Sequence, residues 1–190
     1  QNELSLIAFP FQELFEVKLY DFDLIIFDRY RLNRILPSYY FGNIARYVKE
    51  GGALLEASGP SYATEDSIFS TALKDVLPAY PTGSVFDEAF KPLITETGER
   101  HPVTQDLSWP GGTEDAPGWG RWLRHVAVAP TSGDVLMSGV NDLPLLILNR
   151  VVLGPLLGTS TFRRRVLVLG AGLPACADAD AVSYAATYGR

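Results

Sequence analysis

The sequence is poor in the residue types that build disulfide frameworks, metal centres and cysteine-based enzymes. It contains one cysteine and two histidines among 190 residues. A single cysteine excludes an internal disulfide and a cysteine-based zinc site, and we predict neither a metal nor a cofactor. The net charge of -6 argues against nucleic acid as a partner, because general nucleic-acid binders carry a basic face. No apolar run approaches the roughly 20 residues of a membrane-spanning helix.

Residues 23–60 contain the clearest structural pattern of the chain. Residues 23–28 form a short apolar run, and residues 53–57 form a second one before the break at Ser58-Gly59-Pro60. Between them, apolar residues at spacings of three and four predict a helix that ends at Gly51-Gly52. The predicted inner face of this helix consists of Tyr40, Phe41, Ile44, Ala45, Tyr47 and Val48. Strand, helix and strand make a βαβ crossover, so we predict an α/β fold with a mostly parallel sheet covered on both faces.

Ligands of such sheets bind beyond the carboxyl ends of the strands. The two predicted strand ends supply a candidate binding surface of Asp28, Arg29, Tyr30, Ser58, Gly59 and Pro60. Asp28 and Arg29 have an alternative role as a structural ion pair. Ser58-Gly59-Pro60 has the alternative role of a tight turn with a polar side chain.

The remaining chain gives weaker patterns. We predict a strand over residues 4–9, a short helix over 13–19 and a helix over 72–77 capped by Thr71. Residues 81–83 are predicted to form a turn, and 84–95 to contain one extended strand. Residues 122–129 alternate, with Leu123, Val126 and Val128 expected inside. Residues 135–139 and 144–148 are predicted to form an antiparallel hairpin.

Several segments together carry a family resemblance. They are residues 2–7, YDFDLIIFDRY at 20–30, NIARYV at 43–48, GGALL at 51–55, SGP at 58–60, LPA at 77–79, HPVT at 101–104 and GWGRW at 118–122. Residues 1–150 resemble the class I glutamine amidotransferase-like domain, in a non-catalytic branch found as the C-terminal soluble domain of uncharacterised bacterial membrane proteins. HPVT is also similar to ThuA-like proteins. Residues 151–190 depart from the family pattern; the alternative is that they complete the same domain.

The resemblance implies a flavodoxin-like three-layer sandwich whose first strand precedes Gln1. It also implies transmembrane helices upstream, and therefore attachment of this soluble domain to the bacterial cytoplasmic membrane. The function it implies is recognition of a small polar ligand or a protein partner.

Catalysis by this fold requires a cysteine on a strand-to-helix turn, a histidine and an acid. The turn at Ser58 has no cysteine, and Cys176 lies outside a Gly-x-Cys-x-Gly elbow. We therefore predict a domain without catalytic residues. The alternative is a hydrolase or amidotransferase that uses Ser58 and His101, although His101 has the competing role of fixing its own loop.

Two further motifs have an open interpretation. Trp119, Arg121 and Trp122 form an aromatic and basic cluster that is typical of interface hot spots, but core packing beneath a loop explains it equally well. Gly170 and Gly172 follow an apolar run, as in dinucleotide-binding folds. The chain ends before the second strand that such a site requires, so we do not predict a nucleotide.

Overall fold

A computed structural model describes residues 10–32, 36–105, 107, 118–149, 166–171 and 183–188. Two α-helices and nine strands are found in these ranges, together with short 3-10 and π-helical turns. The helices are α1 (Ser38–Lys49) and α2 (Glu96–Glu99). The strands are β1 (Leu24–Asp28), β2 (Ala53–Ala57), β3 (Ala79–Phe86), β4 (Leu93–Ile94), β5 (His125–Pro130), β6 (Asp134–Ser138), β7 (Pro144–Leu148), β8 (Val166–Ala171) and β9 (Ser183–Tyr188).

The largest sheet has the strand order β2-β1-β8-β9. β1 pairs in parallel with both β2 and β8, whereas β9 runs antiparallel to β8. Phe27 lies opposite Glu56 in the β1–β2 register, so the two side chains share one face of the sheet. The predicted α/β fold with a parallel βαβ unit is confirmed.

Helix α1 lies on that face through the apolar residues that the sequence predicts. All six residues of the predicted inner face are buried, and Ile44 is fully inaccessible to solvent. The Phe41 ring stacks on Phe27 of β1 with 6.2 Å between the ring centroids. Gly51 ends the helix with φ +108°, a conformation that favours glycine.

The residues before β1 add an aromatic side to this core. A π-helical turn, Glu13–Val17, buries Phe15, and the 3-10 turn Leu19–Asp21 buries Leu19. Asn43 of α1 donates from Nδ2 to the Phe15 carbonyl oxygen at 3.1 Å, which joins the turn to the helix. The predicted short helix is thus present in part, with Leu14 only half-buried.

Within the described ranges, a helix covers only one face of the parallel sheet, and that helix is α1. The short α2 packs against β6 rather than against this sheet. On the face opposite α1, Leu24 and Ile26 are half-buried and Leu55 is 44% exposed. We predicted that both faces of the sheet are covered, and the described residues show this only for the face that carries α1.

Two antiparallel units flank the parallel sheet. β3 pairs with β5, and β6 pairs with β4 and β7. The β6–β7 hairpin is confirmed, as is the Thr71 cap, whose hydroxyl accepts from Leu73 N–H at 3.2 Å. The turn predicted over residues 81–83 is wrong: Gly83, with φ +86°, lies inside β3 at an irregularity in its pairing. The extended strand predicted over 84–95 is divided between the end of β3 and the short β4.

The alternation predicted for residues 122–129 has the wrong phase. Leu123 is 72% exposed, whereas His125 and Ala127 are buried. Val126 and Val128 are half-buried against the edge of the core. A histidine occupies the inner position because both its ring nitrogens have hydrogen-bond partners there, a compensation that hydrophobic periodicity does not reveal.

The remaining predictions fall partly outside the described residues. These include the strand over residues 4–9, Cys176 and Gly172. β8 and β9 belong to residues 151–190 and join the parallel sheet. The boundary at residue 150 between the family-like domain and its C-terminal tail stays a prediction. No helix in the described part of the chain has the length and apolarity needed to cross a membrane.

Candidate functional site

A pocket of about 650 Å³ opens at the carboxyl ends of β1 and β2. Its far walls come from β5 and β7, so it lies where the parallel sheet meets the two antiparallel units. The volume falls in the range of small-molecule sites, roughly 300–1,000 Å³. This location agrees with the binding position that the sequence predicts.

The loop after β1 has an uncommon backbone that forms one rim of the pocket. Arg29 has φ +48°, and its N–H donates to the Ala57 carbonyl at the end of β2 at 2.8 Å. A side chain at Gly59 would place its Cβ 3.0 Å from the Arg29 Cβ, so the two loops approach closely because position 59 is glycine. Arg29 Nε lies 3.6 Å from Asp28 Oδ1, and both side chains are about half exposed. Left-handed non-glycine residues are concentrated at functional sites.

Glu56 is the acidic group set deepest in the pocket wall. Its Oε2 is buried and has no hydrogen-bond partner among the described residues. Burial raises the pKa of Glu56 to about 8; the hydrogen bond from Ser58 opposes this shift, and the charge of Asp28 adds to it. The pocket wall therefore contains a carboxyl group that is mainly protonated at neutral pH and whose shielded Oε2 lacks a hydrogen-bond partner among the described residues.

Tyr62 packs beside Glu56 but has no free hydroxyl donor to give it. The 3-10 turn Pro60–Ala63 turns this ring inward, and its hydroxyl donates to the Ala79 carbonyl at 2.8 Å. Burial raises the pKa of Tyr62, and the nearby Glu56 carboxylate raises it further. The Tyr62 hydroxyl thus holds β3 in place and leaves Glu56 Oε2 unsatisfied.

His125 lines the pocket from β5 with both ring nitrogens occupied. Nδ1 accepts from Val140 N–H at 3.1 Å, and Nε2 lies 2.9 Å from the Pro144 carbonyl oxygen. Since a carbonyl oxygen only accepts, Nε2 carries the proton and donates it. His125 is therefore a structural link between β5 and β7 rather than an available base.

The rest of the pocket is an apolar wall with a charged and aromatic rim. Arg124 forms an ion pair with Asp87, and the Trp122 side chain is 50% exposed. The apolar lining consists of Leu55, Leu77, Pro78, Val126, Val128, Pro144, Leu145, Leu146 and Ile147. Such a site suits a ligand with an apolar body and a small number of polar groups.

The structure brings six of the ten predicted site residues to this pocket. They are Asp28, Arg29, Ser58, Gly59, Pro60 and Trp122. Tyr30 belongs instead to the core, where its ring meets Phe27 edge-on with 5.1 Å between centroids. Tyr30 follows the strand exit in sequence, but its side chain is buried next to the left-handed backbone turn at Arg29.

His101, Trp119 and Arg121 are not among the pocket residues. His101 Nδ1 accepts from Val103 N–H at 3.1 Å, so this imidazole fixes its own loop. Trp119 Nε1 donates to the Pro92 carbonyl at 3.0 Å, and Arg121 is exposed. The candidate surface is thus divided, and only Trp122 of the aromatic cluster lines the pocket.

Glu56, Tyr62, Arg124 and His125 were missed by sequence reasoning. Glu56 offered a signal, since it is the one charged residue in the strand Ala53–Ala57 and directly precedes the strand end. Tyr62 follows the end of β2 by five residues and enters the pocket through the 3-10 turn Pro60–Ala63, whereas Arg124 and His125 are distant in sequence from both strand ends and reach the pocket through β5 and the residue before it. Their role depends on tertiary placement.

Among the described residues, no group of three or more His, Cys, Asp or Glu side chains is placed to hold a metal ion. Comparison of the chain with family models, curated proteins and solved structures finds no match. The function must therefore be argued from the pocket itself.

Proposed function

We propose that this chain is a non-catalytic, glutamine amidotransferase-like domain that recognises a small polar ligand in the pocket at the ends of β1 and β2. The observation that carries the proposal is a cavity of about 650 Å³ at the strand ends, whose wall contains Glu56 with a buried carboxyl oxygen that has no hydrogen-bond partner among the described residues. A buried polar atom without a partner costs folding free energy of about 1–3 kcal/mol. Sites that accept such a cost are typically binding sites.

The family part of this proposal rests on the sequence resemblance of residues 1–150. The order β2-β1-β8 with parallel pairing and the α1 crossover is compatible with a flavodoxin-like sandwich. The resemblance implies attachment to the bacterial cytoplasmic membrane, and we include that location in the proposal.

The pocket has no assembled histidine-activated nucleophile among the described residues. The Ser58 side chain hydrogen-bonds to Glu56. His101 is engaged in its own loop, and His125 has both nitrogens committed. Pro60 lacks an N–H that an oxyanion hole near Ser58 would use. These features favour binding over hydrolysis.

Thermal unfolding in the presence of a metabolite library tests the binding function. A ligand at about 100 times its Kd stabilises the folded state by about 2.7 kcal/mol, which raises the Tm by several degrees. Trp122→Ala should reduce the shift because it removes an aromatic wall. Leu123→Ala is the matched control, since Leu123 is exposed and outside the pocket. Absence of any stabilising ligand, or equal effects of both variants, would refute the proposal.

One observation favours a second candidate, a hydrolase. Ser58 contacts a carboxyl group whose pKa is raised to about 8, and such a group can act as a general base near that pH. The nucleophile and base would then be Ser58 and Glu56, rather than the predicted pair of Ser58 and His101. Ester and amide turnover that disappears in Ser58→Ala and persists in His101→Ala would support this reading over the binding domain.

A further inference from the structure

Two arginine side chains in the pocket lining keep N–H groups that a ligand can use. Arg29 follows β1 and Arg124 directly precedes β5, and each side chain is about half exposed. A guanidinium group carries five N–H donors. Arg124 uses Nε toward Asp87, whereas Arg29 Nε lies 3.6 Å from Asp28 Oδ1, which is beyond hydrogen-bond distance. Both guanidinium groups therefore have donors left for a polar head group.

The other polar side chains of the lining are less available to a ligand. The Tyr62 hydroxyl and His125 Nε2 already donate to backbone carbonyl oxygens. Ser58 hydrogen-bonds to Glu56, and the remaining Glu56 oxygen is shielded from solvent. A ligand with hydrogen-bond acceptors therefore gains most from the two arginines.

The backbone of Arg29 indicates that its side chain has a role of its own. Arg29 has φ +48°, and the other non-glycine residues with positive φ in the described ranges are Asn141 and Asp142. Asn and Asp tolerate this conformation better than most residues, and glycine adopts it without strain. An arginine at this position thus has a conformational cost that glycine would avoid. Residues held in this way are concentrated at ligand sites.

The lining also indicates the charge and shape of the ligand. A guanidinium group binds a carboxylate through two parallel hydrogen bonds. The carboxylate of Asp28 lies beside Arg29, so a singly charged head group is favoured over a phosphate, whose second negative charge it would repel. The wall formed by β5 and β7 is largely apolar, and Trp122 is half exposed at the same pocket. This wall suits an apolar or aromatic body.

We propose that the ligand is a small organic acid whose carboxylate accepts hydrogen bonds from the Arg29 guanidinium while its apolar body lies against β5 and β7. This inference rests on the proposed binding function and names the ligand class for the same pocket. Arg124 adds a second positive charge from the β5 side and attracts the same carboxylate.

Calorimetric titration of the full chain with four small aromatic compounds tests the head-group chemistry. The probes are phenylacetate, phenylacetamide, phenethylamine and phenyl phosphate, which carry a carboxylate, a neutral amide, an ammonium and a phosphate. We expect phenylacetate to bind about tenfold more tightly than the amide, because hydrogen bonds between two charged groups are the stronger ones. The amine and the phosphate should also bind more weakly than phenylacetate.

Arg29→Gly separates a binding role of Arg29 from a structural one. It should weaken phenylacetate binding about tenfold and leave phenylacetamide binding nearly unchanged. Its Tm should stay close to that of the wild type, because glycine adopts the left-handed backbone without strain. Arg31→Gly is the matched control, since Arg31 is exposed, pairs with Asp66 and lies outside the pocket lining. It should leave the affinity for both probes unchanged.

Arg29→Lys provides a second variant in case Arg29→Gly misfolds. Lysine keeps the charge and the length of the side chain but lacks the planar fork of the guanidinium group. Its affinity for phenylacetate should fall by a smaller factor than that of Arg29→Gly and remain below that of the wild type. An unchanged affinity in Arg29→Lys, or an equal loss for the acid and the amide in either variant, would overturn the role of Arg29.

The remaining outcomes distinguish this inference from the proposed binding function. Equal binding of phenylacetate and phenylacetamide, or tighter binding of the amine or the phosphate, would overturn the organic-acid inference and leave the binding function standing. The same holds if no probe binds but another library ligand stabilises the wild type and loses its effect in Trp122→Ala. If nothing binds in the pocket at all, the binding function itself fails.

Discussion

The stability of the free protein should fall as pH rises from 6 to 8.5, and Glu56 should cause most of that fall. The folded state raises the Glu56 pKa to about 8, from an ordinary value of 4.5. In the unfolded chain the carboxyl group has already lost its proton at pH 6. The folded state thus binds more protons across this interval, and the free energy of unfolding decreases with increasing pH.

The size of the effect follows from the two pKa values. One unit of difference corresponds to about 1.4 kcal/mol, and the folded group titrates near the upper end of the interval. Between pH 6 and 8.5 the wild type should therefore lose roughly 2.5 kcal/mol of stability through this one group. Above pH 9 both states are ionised and the contribution levels off.

Urea unfolding of wild type and Glu56→Gln at several pH values measures this contribution. Glutamine keeps the shape of the side chain but cannot ionise, so its curve of stability against pH should be flatter by about 2.5 kcal/mol. It should also exceed the wild type in stability at pH 8.5. Glu88→Gln, at an exposed position, should follow the wild type. Parallel curves for wild type and Glu56→Gln would refute the assignment of a buried, mainly protonated Glu56.

Two predictions concern the βαβ unit. Ile44→Ala should lower the free energy of unfolding by about 2–5 kcal/mol, because Ile44 is fully buried between α1 and the sheet. In the same urea assay, Arg46→Ala at an exposed position of the same helix should change the free energy of unfolding by less than about 0.5 kcal/mol. A loss that small for Ile44→Ala would contradict the packing of α1 on the sheet. Gly51→Val should lower the free energy of unfolding by about 1–3 kcal/mol, since Gly51 has φ +108°. Gly42→Ala should instead stabilise α1 by about 0.5–1 kcal/mol, because the added Cβ meets no atom within 4 Å. Equal effects of the two substitutions would contradict the assignment of Gly51 as the left-handed end of α1.

The βαβ unit was predictable because its signals are local and agree with each other. Helical spacing, the glycine stop and two short apolar strands all specify the same crossover, and its ends then locate the pocket. The position of Ser58 follows from that reasoning. Tyr30 lies in the core rather than at the pocket, and it directly follows Arg29, whose left-handed backbone is not visible in the hydrophobic pattern.

The opposite wall of the pocket was not predictable in the same way. β5 contributes His125 and Val126, and β7 contributes Leu146, from positions nearly 70 and 90 residues beyond the end of β2. The hydrophobic pattern of residues 122–129 indicated the wrong phase because a buried histidine looks polar in sequence. Its two hydrogen bonds, to Val140 and Pro144, exist only once β5, β6 and β7 are assembled.

Glu56 links the stability of this fold to its proposed role. Apolar neighbours and the adjacent Phe27 suit a hydrophobic residue at this register position, and a leucine there would avoid the cost of burying a carboxyl group. Glutamate instead lowers the stability of the folded protein once its carboxyl group is ionised, because Ser58 supplies only part of the hydrogen bonding that the carboxylate needs. The residue that weakens the free domain at alkaline pH therefore lies in the wall of the proposed binding pocket, where its cost to stability is tolerated.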